Sequence, residues 1–216
     1  PQFPDWADTL IIESTYGNRK HEQIRDASDR VQRVVARVAE RGGKIVVPSF
    51  SVGRTQEFVY CLHMLFKEGR LPEIPIFVDS PLAVNATEIF REHPECYDKE
   101  TKELLEDSKD AFGFKGLKYT RSVDESKALN TREGPFMVIS ASGMCEHGRI
   151  LHHLKNSIED ARNCVLVIGY MAENTLGRRI VERGGHRRLL ARGGVYADMW
   201  ARQQEATRAR EMLEHV

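Results

Sequence analysis

Apolar positions along this chain follow two periods. Val31, Val34, Val35 and Val38 recur at i, i+3, i+4 and i+7, which predicts a helix over Glu22–Arg41 with one apolar stripe, stopped by Gly42-Gly43. Short unbroken apolar runs predict strands at residues 10–13, Lys44–Phe50, Ile76–Asp79, Phe136–Ser140 and Cys164–Gly169. Between them, helical spacing predicts Arg54–Lys67 (Phe58, Cys61, Leu62 and Leu65 inward), Leu82–Arg91, Gly148–Asn156 and Leu176–Glu182. The charged middle, Glu95–Thr131, holds only short helices near Lys99–Leu105 and Glu125–Asn130. Strands alternating with helices predict an α/β fold: a largely parallel sheet with helices on both faces.

The pattern changes after about residue 182. Arg183-Gly184-Gly185-His186-Arg187-Arg188 is a basic, glycine-containing junction, and from Val195 the chain reads as one charged helix with few inward residues. A C-terminal helical tail over 183–216 is therefore expected.

Composition adds bounds. The 216 residues suffice for one or two domains with a real core. The 32 basic and 32 acidic residues balance, so net charge neither points to a nucleic-acid partner nor argues against a local basic groove. The 41% apolar content suits a soluble globular protein, and no apolar run reaches the roughly 20 residues of a membrane span. No basic-then-apolar leader is seen, and Pro1 opens the chain without an initiator Met, which suggests a fragment. Cys61, Cys96, Cys145 and Cys164 show no CxxC spacing, as expected of a reducing cytoplasm.

Several residues are candidates for chemistry. Ser140-Ala141-Ser142-Gly143 joins a strand to a helix, and small residues there let backbone N–H groups approach a phosphate; a plain tight turn is the alternative. Arg54 either pairs bidentately with phosphate or bridges to Glu57 or Asp79. Arg149 and Lys44 face the same choice. His152-His153 does not favour a shared metal, because adjacent helical residues point about 100° apart; one of the pair is expected against the sheet and the other in solvent. His63 reads as structural. Tyr16, Tyr170 and Phe50 either stack on bases or belong to the core.

Taken in order, Ile12-Glu13-Ser14-Thr15-Tyr16-Gly17, Gly42-Gly43-Lys44 with Pro48-Ser49-Phe50, Gly53-Arg54-Thr55-Gln56-Glu57, Val78-Asp79-Ser80-Pro81-Leu82-Ala83, Ser140-Ala141-Ser142-Gly143-Met144, Gly148-Arg149-Ile150-Leu151-His152-His153-Leu154 and Gly169-Tyr170 with Gly177 carry a resemblance. Residues 1–182 closely resemble the β-CASP nucleases of the metallo-β-lactamase superfamily. The resemblance implies a remnant strand and turn of the lactamase domain over 1–20, then the β-CASP domain over 21–182. It implies an RNA-processing hydrolase cutting phosphodiesters with two zinc ions, and a domain that clamps single-stranded RNA through its phosphates. Glu13 matches the acid that orients the family's catalytic histidine, and the resemblance favours phosphate contact by the loop of Ser140, Ser142 and Gly143, while Arg54 and Arg149 stay candidates for phosphate or for a salt bridge. The zinc-binding HxHxDH cluster and the partner histidines have no counterpart in these residues. The expectation is a chain without metal ligands, inactive alone, and either homodimeric or paired with a chain that carries the zinc site. A non-catalytic RNA- or protein-binding module is the alternative. The tail resembles the C-terminal end of ATP-binding-cassette exporter subunits, although no GxxxxGK[ST] loop is present, which leaves a fusion fragment as a third reading.

Overall fold

A computed structural model describes residues 5–14, 17, 24–172, 174–180 and 191. The elements run α1 (Ile24–Glu40), β1 (Lys44–Pro48), α2 (Arg54–Lys67), β2 (Ile76–Asp79), α3 (Pro81–Glu92), α4 (Lys99–Asp107), β3 (Leu117–Thr120), α5 (Val123–Thr131), β4 (Phe136–Ser140), α6 (Ile150–Lys155), β5 (Cys164–Val165) and α7 (Leu176–Ile180). A short 3-10 turn at Pro94–Cys96 links α3 to α4.

The strands form one parallel sheet in the order β3-β2-β4-β1-β5. Its central strands are buried on both faces, as a parallel sheet covered by helices requires. The two-residue period of each strand divides the core. Ile45, Val47, Ile76, Val78, Met137 and Ile139 meet Val35 and Val38 of α1 and Phe58, Val59 and Leu62 of α2. Val46, Phe77, Phe136 and Val138 face the other way, toward Leu129 of α5 and Ile150 and Leu154 of α6. The valine stripe of α1 therefore does what its spacing predicts. Gly42, at φ +71°, ends that helix in the left-handed conformation, with the N–H of Gly43 donating to Val38 O at 2.9 Å.

The chain leaves β1 and β2 toward the face that carries α2 and α3, and leaves β4, which lies between them, toward the face that carries α6. Such a reversal opens a crevice at the carboxyl ends of the strands, where open α/β sheets place ligands. The register sets what lines it. Pro48 pairs with Ser140, Asp79 with Thr120, and Val78 with Ile139, so Asp79, Thr120 and Ser140 fall in one row.

Four sequence expectations change. Residues 10–13 form no strand: they are irregular and exposed, Ile11 at 93%. The strand expected at Cys164–Gly169 pairs regularly only over Cys164–Val165, although Leu166 N still donates to Val46 O at 2.9 Å. The helix expected over Gly148–Asn156 has six residues. The charged middle holds an unexpected strand, β3, because its pattern Leu-Lys-Tyr-Thr belongs to a half-exposed sheet edge. The tail over 183–216, with its exporter-like stretch, lies outside the described residues except for position 191.

Candidate functional site

Asp79 closes a strand buried along its whole length and is itself fully buried. Such a carboxylate must be satisfied within the protein. Thr120 Oγ1 donates to its Oδ1 at 2.5 Å, and Arg149 Nη1 to the same oxygen at 2.7 Å. Ser126 Oγ donates to Oδ2 at 2.6 Å, and His153 Nε2 lies 2.6 Å from that oxygen. Burial alone would raise the Asp79 pKa. The bonds from His153, Ser126, Thr120 and Arg149 outweigh it and hold the carboxyl well below the usual range. The hub ties β3, α5 and α6 to the end of β2.

The loop after β4 hangs from this hub. Ser140 Oγ donates to Asp79 O at 2.8 Å, and Ile150 N donates to Ala141 O at 3.1 Å. Ser142 Oγ accepts from Glu146 N at 3.1 Å, and Ser142 N donates to His147 O at 3.1 Å. Gly143 then lies flat on Phe50: a Cβ there would come within 2.9 Å of the ring and 3.1 Å of Phe50 N, so only glycine fits. Phe50 in turn is tied to α2, since Thr55 Oγ1 donates to Phe50 O at 2.7 Å. Burial pushes the neighbouring Cys145 thiol up to about 12, which makes it an inert packing residue.

The sequence-predicted residues separate into groups. Ser140 and Arg149 belong to the Asp79 hub, and Arg149 Nη2 also donates to Arg121 O at 2.9 Å. Ser142 and Gly143 form the loop above it. Arg54 heads α2 and, of its two suggested acidic partners, bonds Glu57 at 2.7 Å. Its Nε lies 3.7 Å from where a Cβ on Gly169 would stand. Glu13 is exposed in the irregular stretch before α1. Lys44 opens β1, at the opposite edge of the sheet, over the Phe136 ring. His153 is buried and His152 exposed, the division that their adjacency on one helix requires. Buried His63 bonds Ala111 O through Nδ1 at 3.0 Å.

Asp79 as a hub is what the sequence concealed, and with it the pairing of His153, the sheet-facing member of His152-His153, with that carboxylate. The available signal was a carboxylate ending an otherwise apolar strand, followed by Ser80, which caps α3 through Ala83 N at 3.3 Å.

Zinc does not fit the described residues. Among them no three His, Cys, Asp or Glu side chains gather where one ion could bind. The buried pair, His153–Asp79, is already engaged by an arginine and two hydroxyls, and the exposed pair His93–Glu95 has no third ligand among the described residues. Among the described residues no helix is long and apolar enough to cross a membrane.

A β-CASP family model, described as Beta-Casp domain, matches residues 55–180, more than half of the chain and all of the hub and its loop. The chain belongs to the Beta-Casp family. Ribonuclease TTHA0252 of Thermus thermophilus is 35% identical over 191 residues, covering 88% of this chain and 44% of its own length. Transcription termination factor FttA of Methanosarcina mazei is 34% identical over 182 residues, 83% of this chain and 28% of its own. Endoribonuclease YSH1 of Kluyveromyces lactis is 26% identical over 183 residues, 82% and 23% respectively. This Beta-Casp chain thus spans less than half the length of each of these relatives.

Proposed function

We propose that this chain is the substrate-gripping part of an RNA-processing nuclease and holds single-stranded RNA by its phosphates along the carboxyl edge of the sheet. The names of its relatives, a ribonuclease, a termination factor and an endoribonuclease, support the substrate class. The observation that carries the reading is the placement of two elements at the ends of adjacent strands: α2, which Arg54 heads and whose Thr55 bonds Phe50, and the Gly143 loop packed on the Phe50 ring.

Arg54 supplies the charge. Its bond to Glu57 is exposed, and such pairs contribute only about 0–1 kcal/mol, so a phosphate displaces Glu57 at little cost. Gly143, buried against the Phe50 ring, gives the loop a fixed turn at the strand ends. Ser140, Ser142 and Arg149 act from beneath: their polar atoms hold the loop in shape. Six-residue α6 is too short to lend the loop a useful helix dipole.

Catalysis lies outside this reading of the chain. Glu13, matched to an orienting acid, has no family histidine to orient in these residues. We place the hydrolytic zinc on another chain or segment, and the protein in a reducing cytoplasm that suits its unbridged cysteines. The test incubates the purified chain with single-stranded RNA and added zinc. Retention of RNA without cleavage is expected. Zinc-dependent cleavage would overturn the assignment of catalysis elsewhere, and failure to bind RNA would overturn the grip.

A further inference from the structure

The carboxyl edge carries two large aromatic side chains that the core does not take up. Phe50 remains 47% exposed and Tyr170 40% exposed. Their positions are built. The Phe50 ring leans on Gly143, where no side chain fits beneath it. Tyr170 belongs to the segment after β5 that closes on the same loop: Ala172 N donates to Met144 Sδ at 3.3 Å, and Gly177 N to Met144 O at 2.9 Å. Gly169, beside Tyr170, leaves room for Arg54. The two exposed rings are thus tied to one turn, Phe50 through Gly143 and the Tyr170 segment through Met144, and Arg54 reaches the Gly169 beside Tyr170.

We infer that Phe50 and Tyr170 are a stacking platform for unpaired nucleobases, at the same strand ends as the phosphate contact at Arg54. The inference rests on the phosphate-gripping reading and deepens it. Every base presents a π-face, so the platform selects single strands over duplexes and shows little sequence preference. A duplex buries those faces in its own stack. Charge complementarity favours a nucleic acid over an apolar protein partner, because the Arg54 guanidinium lies beside Gly169, the neighbour of Tyr170.

The test compares a short oligouridylate with an abasic strand of equal length, followed by fluorescence anisotropy on the full chain. Phe50→Leu and Tyr170→Leu should each weaken oligouridylate binding roughly 5- to 50-fold and leave abasic binding unchanged within about twofold. Phe50→Trp and Tyr170→Phe keep a ring and should retain affinity, which guards against a variant that merely fails to fold. Arg54→Gln should weaken both strands alike. Equal binding of the two strands by the wild type, or an unaffected Phe50→Leu/Tyr170→Leu double variant, would overturn the platform and leave the phosphate grip standing. Absence of binding to either strand would overturn both. A change in sedimentation with RNA affinity intact would assign the rings to a contact between copies and likewise overturn the platform.

Discussion

Replacing Asp79 by Asn removes one charge and disturbs four partners at once. Arg149 and His153 are then left in the interior without the carboxylate they face. Breaking a buried pair in this way costs about 3–5 kcal/mol, which denaturant unfolding of Asp79→Asn should show directly. The pH dependence follows from the same contacts. A carboxylate whose pKa is lowered by folding adds its full stabilisation above about pH 4, its unfolded value, and loses it as pH falls toward the folded value. The stability gap between wild type and Asp79→Asn should therefore narrow on acidification below about pH 4. A gap that stays constant into acid would contradict the hub as described. The sequence hid this residue because its partners, Thr120, Ser126, Arg149 and His153, come from elements 41 to 74 positions away. What was legible was local: that one of His152 and His153 faces the sheet, and that Arg54 has an acid within reach.

At the scale of elements, Arg54–Lys67, Ile76–Asp79 and Phe136–Ser140 match their predicted bounds, because each has one unambiguous period and a clear stop. The misses share a cause in context. β3 is a half-exposed edge whose Lys118 breaks the apolar signal, and it becomes a strand only by pairing with β2. Residues 10–13 have the apolar run of a strand but, as described, remain exposed and irregular. Helix α5 shows local chemistry deciding a boundary. Ser122 Oγ accepts from Glu125 N at 3.1 Å while Glu125 Oε2 accepts from Ser122 N at 2.9 Å, a reciprocal cap. Ser122→Ala should cost about 1 kcal/mol, measured by thermal or denaturant unfolding. Because α5 carries Ser126 to Asp79, amide exchange in α6 should also quicken in that variant. A loss confined to α5 would show that the hub does not couple the two helices.

For the whole molecule, the proposed function separates grip from cut. The charge-balanced composition is compatible with it, because the proposed contact depends on where one arginine stands, not on how many there are. The resemblance to β-CASP nucleases was legible in short motifs spread along the chain, and residues 55–180 match the family as a unit. The meeting of Arg54 with Gly169 and of Phe50 with Gly143 was not legible, since it depends on separate strand ends meeting in space. The most direct test of the grip is the salt dependence of RNA affinity for wild type and Arg54→Gln. Binding through phosphates predicts that log K falls linearly with log salt, and that the variant's slope is shallower by about one contact's worth, roughly 0.7 for a single strand. Affinity that ignores salt, or an identical slope in both proteins, would contradict it.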